Sequence, residues 1–319
     1  MADVVAGGAG FIGSHLCERL LNMDRAIICL DNLVTGRASN IESLVGDPRF
    51  SFVHHDVTEE PPSLPQVMRI FHLASPASPV AYQRHPIQTL MANSLGTLRL
   101  LELAAKTGAR FLYASTSEVY GDPLEHPQRE TYWGNVSSTG PRSMYDEAKR
   151  FGEAITMAYR NSHSVDVRIA RIFNTYGPRS DPNDGRLVPN FIVQALANRP
   201  MTVYGDGKQT RSLCFVSDLV EGLVRLMESD DASGEVINLG NPAEHTILEY
   251  AQMIRELTGS SSQIVFTSYA VGDDPQRRRP DITKARDLLA WEPSIGLKDG
   301  LLRTIEYFRS EISVQEATA

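Results

Sequence analysis

Seven residues near the N-terminus, Gly7-Gly8-Ala9-Gly10-Phe11-Ile12-Gly13, constrain this chain more than any other stretch. They lie between a short apolar run, Asp3 to Ala6, and a pattern of helical period from Phe11 to Met23. So sharp a strand-to-helix turn lets backbone approach a pyrophosphate, which then rests on the positive end of the helix. The spacing Gly7-x-x-Gly10-x-x-Gly13 is tighter than G-x-G-x-x-G, and alone it is a weak signal. Context strengthens it. Asp31 ends a second strand (Ala26 to Leu30) 18 residues after Gly13, where a carboxylate can bond the adenosine ribose hydroxyls. That charge repels a 2′-phosphate and favours NAD over NADP, although Arg37 stands near enough to hold such a phosphate. Asp56-Val57, after a third strand at Phe50 to His54, is placed for the adenine edge.

Further strands at Arg69 to Leu73, Arg110 to Ala114 and Val165 to Ile172 alternate with helical segments. The longest of these is read as one helix from Tyr82 to Lys106, and another covers about Ser143 to Ser162. This alternation implies an α/β fold with a Rossmann-type, doubly wound parallel sheet. After Asn174 the rhythm changes to a loop around Pro178 to Gly185, then a helix to about Asn198. Gly205-Asp206-Gly207 reads as a tight turn between two short strands. Helices dominate from Ser217, interrupted by a basic loop from Pro275 to Pro280, and the end is expected to fray from about Ser313. The expected division is a dinucleotide-binding domain over 1–172, with returning segments at about 213–240, and a smaller interleaved domain over 173–319.

A chain of 319 residues buries a core without disulfide or metal staples. Cys17, Cys29 and Cys214 form no CxxC pair and read as reduced core residues of a cytoplasmic protein. No apolar run approaches the roughly 18 residues that span a bilayer, and Met1-Ala2-Asp3 opens no signal-peptide pattern, so no membrane partner is expected. No HExxH, CxxC or carboxylate cluster suggests a metal, and His54-His55 reads as a strand end. The net charge of −8 argues against a nucleic-acid partner. It also requires particular arginines to gather around any anionic ligand.

Tyr145-x-x-x-Lys149 lies within a helical pattern, so both side chains share a face one turn apart. A lysine cation beside a phenol lowers its pKa toward neutrality, and such a tyrosine can take a proton from a sugar alcohol as hydride leaves. The pattern alone is common. Its support is Ala114-Ser115-Thr116-Ser117-Glu118-Val119-Tyr120-Gly121, which follows a strand and opens at the carboxyl edge of the sheet, where ligands bind in such folds. Thr116 is placed to share the substrate hydroxyl with Tyr145, and Glu118 to serve as acid, base or water-holding group.

On these residues the chain resembles the extended short-chain dehydrogenase/reductases of the nucleotide-sugar epimerase/dehydratase group, from Gly7 to about Phe308. Within that group it is most similar to the UDP-glucuronate decarboxylase branch. The stretches that carry the likeness are His72 to Pro79, Ser115 to Pro123, Ala170 to Arg179, Asn183 to Arg186, and Asp273 to Asp281. The resemblance implies that Tyr145 is the base, that Lys149 also holds the nicotinamide ribose, and that Thr116, Ser117, Glu118 and Arg278 complete the catalytic set. It implies an NAD site lined by Gly7, Gly10, Phe11, Ile12, Gly13, Asp31, Asn32, Thr35, Gly36, Asp56 and Val57. Leu73, Ala74, Ser75, Ser115, Thr175 and Arg186 join that site, together with Tyr145 and Lys149.

Pro79, Tyr82, Asn174, Arg186, Tyr204, Arg211 and Arg278, with Thr116 and Glu118, are implied to surround the UDP and the sugar. Of the neighbouring arginines, Arg277 and Arg279 fit a solvated face better than Arg278. The implied reaction converts UDP-glucuronate to UDP-xylose in a homodimer built on the Tyr82 to Lys106 segment and the Tyr145 helix. Related 4,6-dehydratases carry an aspartate where Ser117 stands, and serine is a poor acid for a leaving hydroxyl. One departure is Met91-Ala92, where decarboxylases often show Lys-Thr. The alternatives are a UDP-uronate 4-epimerase or another nucleotide-sugar dehydrogenase of this type and, more remotely, a non-enzymatic NAD-binding sensor.

Overall fold

The computed structural model describes residues 1–268 and 277–318, with side chains to Glu311; residues 273–276 of the Asp273 to Asp281 stretch, and with them Pro275, lie outside the described residues. Strands β1 (Ala2–Ala6), β2 (Ile27–Asp31), β3 (Phe50–His54), β4 (Val67–His72), β5 (Arg110–Thr116) and β6 (Val167–Ile172) come from the first half. Short strands follow: β7 (Thr175–Tyr176), β8 (Met201–Tyr204), β9 (Thr210–Ser212), β10 (Cys214–Phe215), β11 (Val236–Leu239), β12 (Glu244–Thr246) and β13 (Ile264–Thr267). Seven strands form one sheet in the order β11-β6-β5-β4-β1-β2-β3, every pair parallel. The chain therefore returns at β11 to complete the sheet begun by its first half.

Strand β1 shows why both faces must be covered. Val5 packs into one apolar layer and Val4 and Ala6 into the other, and all five residues of the strand are buried. Helices α1 (Phe11–Leu21), α2 (Pro79–Arg84), α3 (Pro86–Asn93), α4 (Leu95–Thr107) and α5 (Ser143–His163) belong to the first half. They are followed by α6 (Leu187–Leu196), α7 (Val216–Glu228), α8 (Ile247–Thr258), α9 (Thr283–Leu289) and α10 (Leu297–Thr318). Leu16 and Leu20 of α1 and Leu219 and Leu223 of α7 fill the first layer, Leu100, Leu101 and Ala104 of α4 the second. Cys17, Cys29 and Cys214 are buried free thiols. No described helix is long and apolar enough to cross a membrane.

One expectation about the elements is corrected. The helix expected over Tyr82 to Lys106 is three helices, α2 to α4. Pro86 lacks an N–H and drives His85 out of the helical region (φ −124°, ψ 55°), and Ser94 breaks the next junction (φ −105°, ψ −78°). The Gly205 to Gly207 turn lies between two short strands as expected, with both glycines at positive φ, and those strands take their partners elsewhere. Strand β8 pairs in parallel with β13, and β9 antiparallel with β12. The last described residues belong to α10, which runs to Thr318.

Helix α5 sets the position of Tyr145 and Lys149, and it lies close on β5 because residue 152 is glycine. A Cβ there would fall 2.1 Å from the hydroxyl oxygen of buried Tyr113, which donates to Asn93 Oδ1 at 3.1 Å. Alanine favours a helix over glycine by about 1 kcal/mol, but overpacking a filled core costs about 1–3 kcal/mol. Gly152→Ala is therefore expected to lower stability by about 1–2 kcal/mol in urea unfolding; an increase would contradict this packing.

Candidate active site

The connections from β1 to β2 and from β4 to β5 leave in opposite directions, so a crevice opens at the carboxyl ends of β1 and β4. Gly7 has φ +82°, and a Cβ on it would fall 2.7 Å from the backbone nitrogen of Ala74. The Leu73-Ala74-Ser75 turn after β4 thus presses directly on the glycine loop. A Cβ on Gly13 would fall 2.1 Å from the carbonyl oxygen of Gly7, so α1 approaches this closely only as glycine. No side chain caps α1 at Gly10, and the first-turn N–H groups, including those of Phe11 and Ile12, form the positive end of the helix. This cradle fits a diphosphate.

Asp31 Oδ2 accepts from the Ala9 N–H at 2.9 Å and Oδ1 from the Leu33 N–H at 2.8 Å. Burial raises its pKa, and these two bonds oppose the rise. A Cβ on Gly36 would fall 2.7 Å from Oδ1, so the turn carrying Thr35 and Gly36 folds back over the carboxylate. Each oxygen keeps a second lone pair for a ribose hydroxyl. Asn32 donates to Asp56 Oδ2 at 2.9 Å. Burial pushes the Asp56 carboxyl up, but bonds from Thr58 and Asn32 hold it below its ordinary value. Val57 packs against Gly96 of α4. Arg37 donates instead to Asn40 Oδ1 and the Arg179 carbonyl, both at 3.1 Å, and to Tyr307. With that guanidinium committed elsewhere, the residues present fit NAD better than NADP.

Strand β5 ends at Thr116, and a tight turn from Ser117 to Tyr120 follows, against which α5 packs. The Tyr145 hydroxyl is hydrogen-bonded to Thr116. Lys149 Nζ donates to the Ala114 carbonyl at 2.8 Å and lies 5.8 Å from the centre of the Tyr145 ring. The Tyr82 ring, carried on α2 behind Pro79, stacks on Tyr145 at 5.0 Å and 12°. The expectation that Lys149 draws the phenol toward neutrality is corrected. Burial pushes Tyr145 up to about 12 and Lys149 down to about 7. Pulling the tyrosine back are the Thr116 bond and the charge of Arg186. Lys149 points at a carbonyl rather than at the phenol, and its own burial weakens its charge.

Glu118 lies between two guanidinium groups. Arg278 Nη1 donates to Glu118 Oε1 at 2.8 Å and to Ser117 Oγ at 3.0 Å, while its Nη2 donates to the Gly121 carbonyl at 2.9 Å. Arg142 pairs with the other carboxylate oxygen. Burial would raise the Glu118 carboxyl, but Arg278, Arg142 and Arg211 hold it below the ordinary value. Glu118 is thus an ionised acceptor, which suits a base or a water-holding group and not an acid. Arg278 is 2% exposed, whereas Arg277 is exposed and Arg279 lies 3.8 Å from Glu244.

The remaining expected residues surround this centre unevenly. Arg186 precedes α6, donates to the Ala77 carbonyl at 2.8 Å, and acts on Tyr145; Arg211 on β9 acts on Glu118. Asn174 accepts from the Cys214 N–H at 2.9 Å, and Thr175 donates to the Phe173 carbonyl at 2.9 Å. Tyr204 ends β8 with an exposed side chain, joined to the loop through Gln209, which donates to its carbonyl. Arg142 was missed by the sequence reading. Its signal is its place at the start of α5, where the helix dipole disfavours a cation. Also missed was the support beneath Ser115, whose hydroxyl donates to Glu153 at 2.6 Å while Arg171 clamps the same carboxylate. Among the described residues no cluster of His, Cys, Asp and Glu suits a metal.

Comparison with known proteins bears on this geometry. The model of the NAD dependent epimerase/dehydratase family matches residues 4–240. The chain is 54% identical over 309 residues to UDP-glucuronic acid decarboxylase 1 of Arabidopsis thaliana, covering 97% of this chain and 70% of that one. It is 53% identical over 312 residues to UDP-glucuronic acid decarboxylase 1 of Xenopus tropicalis, covering 98% and 73%. Among solved structures, UDP-glucose 4-epimerase from Thermotoga maritima with UDP-glucose superposes at a TM-score of 0.90 with 30% identity, covering 98% of this chain and all of that one. UDP-glucuronic acid 4-epimerase from Bacillus cereus, with UDP-glucuronic acid and NAD, gives 0.87 and 30%, again covering 98% and 100%.

The lowered pKa of Lys149 has a measurable consequence. Between about pH 8 and 10 an unfolded lysine binds a proton that the folded one does not, so this group makes stability rise with pH. The stability of the wild type relative to Lys149→Met is expected to climb by up to about 1.4 kcal/mol per pH unit in that window, read by urea unfolding. Parallel pH profiles would contradict a neutralised Lys149.

Proposed function

The chain belongs to the NAD dependent epimerase/dehydratase family, and from that premise we propose that it is a UDP-glucuronic acid decarboxylase, like the relatives it is similar to over almost its whole length. The observation that carries the reading is Glu118, ionised between Arg278 and Arg142, with Ser117 beside it and Tyr145 on Thr116. The glycine loop and Asp31 would hold NAD by its diphosphate and adenosine ribose, and the cofactor would supply oxidation and matching reduction at C4 of the sugar. Tyr145 in its phenolate form, which burial opposes and the Thr116 bond and the charge of Arg186 favour, takes the proton of the C4 hydroxyl, and Thr116 orients the oxygen. The resulting ketone lies β to the C6 carboxylate. The C5–C6 bond breaks, carbon dioxide leaves, and the electron pair passes to an enolate whose oxygen Tyr145 and Thr116 face.

Glu118 has no proton of its own to give, so it orients water toward C5; that water protonates C5 before C4 is reduced, and the hydroxide left behind takes a proton from solvent. Ser117 accepts from Arg278 and offers no acid for a C6 leaving group, which sets this site apart from a dehydratase. Asn174, Tyr204, Arg186 and Arg211 are assigned to the nucleotide and sugar, in a substrate-binding part formed by 173–319 apart from the returning segment near 213–240. Four arginines near the centre, Arg142, Arg186, Arg211 and Arg278, supply the local positive charge that a chain of net −8 needs for a diphosphate and a carboxylate. The product is UDP-xylose. A homodimer is supported by exposed Ile87 and half-exposed Met91 on α3 and half-exposed Phe151 on α5, two helices that pack together. Free buried thiols are consistent with the cytoplasm.

Incubation with UDP-glucuronate and NAD is expected to give a UDP-sugar lighter by one carbon dioxide, without build-up of reduced cofactor. Unchanged mass with a new stereoisomer would overturn the reading in favour of a 4-epimerase. Tyr145→Phe is expected to lower kcat about 100-fold or more with folding unchanged by circular dichroism.

A further inference from the structure

Arg278 reaches the catalytic turn from a stretch that belongs to no named helix or strand. Attraction to Glu118 alone does not define where that stretch runs. Two fully buried amide side chains do. Gln128 binds the chain just after Arg278: its N–H donates to the Arg279 carbonyl at 2.9 Å, and its carbonyl accepts from the Asp281 N–H at 2.8 Å. Its side-chain Oε1 accepts from the Arg279 N–H at 2.9 Å, and its Nε2 donates to the Glu125 carbonyl at 2.7 Å.

Asn238, on the returning strand β11, completes the arrangement. Its Nδ2 donates to the carbonyls of Gln128 at 3.0 Å and Asp281 at 3.1 Å, using both hydrogens. Its Oδ1 accepts from the Tyr120 hydroxyl at 2.7 Å. Tyr120 ends the turn that starts with Ser117 and Glu118. One side chain therefore joins the carboxylate's turn to the guanidinium's segment.

We propose that Gln128 and Asn238 are positioning residues that hold Arg278 against Ser117 and Glu118, and thereby govern loss of carbon dioxide and protonation at C5 rather than oxidation at C4. The selectivity follows from the contacts. Every polar partner of Arg278 named above lies in the Ser117 to Gly121 turn, whereas Tyr145 and Lys149 are held by Thr116 and Ala114. This inference rests on the decarboxylase reading.

The test is Gln128→Met, which keeps the shape and removes both side-chain bonds, in single-turnover reactions with UDP-glucuronate. Appearance of reduced nicotinamide is expected to stay within about threefold of wild type. Carbon dioxide release is expected to slow by about 10- to 100-fold, so that reduced nicotinamide accumulates, with the steady-state KM, measured separately, nearly unchanged. Arg278→Lys is expected to show the same separation. Asn135→Ala, which removes a side-chain amide of the same loop whose one partner among the described residues is the Asp122 carbonyl, is expected to behave as wild type. Equal slowing of both steps, or no slowing, overturns the inference and leaves the reading intact. Should Gln128→Met not fold, Tyr120→Phe cuts the link from the turn's side and is expected to give a smaller separation in the same direction; its absence overturns the proposal. A wild type that releases no carbon dioxide overturns the reading and the inference together.

Discussion

A buried carboxylate between two guanidinium groups is the constraint around which the catalytic end of this molecule is arranged. Glu118 is ionised because Arg278 and Arg142 face it from different parts of the chain, and without the carboxylate those two cations would be left uncompensated. The turn after β5 supplies the carboxylate, the start of α5 supplies one cation, and a segment near the C-terminus supplies the other. The local fold must bring these three together, and β11 returning to the sheet edge with Asn238 is part of how it does so.

The second constraint is steric and lies at the other end of the crevice. Gly7 and Gly13 let the β4 turn and α1 approach backbone to backbone, and no larger residue fits either contact. Asp31 is bound to the same loop through the Ala9 N–H, so the residue read as a ribose ligand also braces the turn. Cofactor recognition and fold stability thus share atoms. Arg37 carries a similar lesson, because its guanidinium ties the glycine-loop side to the 179–180 carbonyls and α10.

Much of this was legible beforehand because it depends on local rules. Strand-helix alternation and a glycine turn determine a parallel sheet with a crevice, and the Thr116, Glu118, Tyr145 and Lys149 spacing places four groups at its edge. What escaped depends on context. A helical period over Tyr82 to Lys106 does not reveal that Pro86 and Ser94 divide it, since the apolar pattern continues across both breaks. A glycine turn at Gly205 says nothing about which strands pair when both neighbours find partners far along the chain. Burial, which sequence does not display, reversed the expected electrostatics of Tyr145 and Lys149. Arg142 needed a physical question, namely why a cation sits at a helix start.

The central claim is that one site removes hydrogen from C4, loses carbon dioxide and restores the same hydrogen to C4. UDP-glucuronate carrying deuterium at C4 tests this directly. The account predicts a UDP-pentose that retains the deuterium at C4. A UDP-pentose with protium there, or deuterium transferred to another molecule, would contradict it.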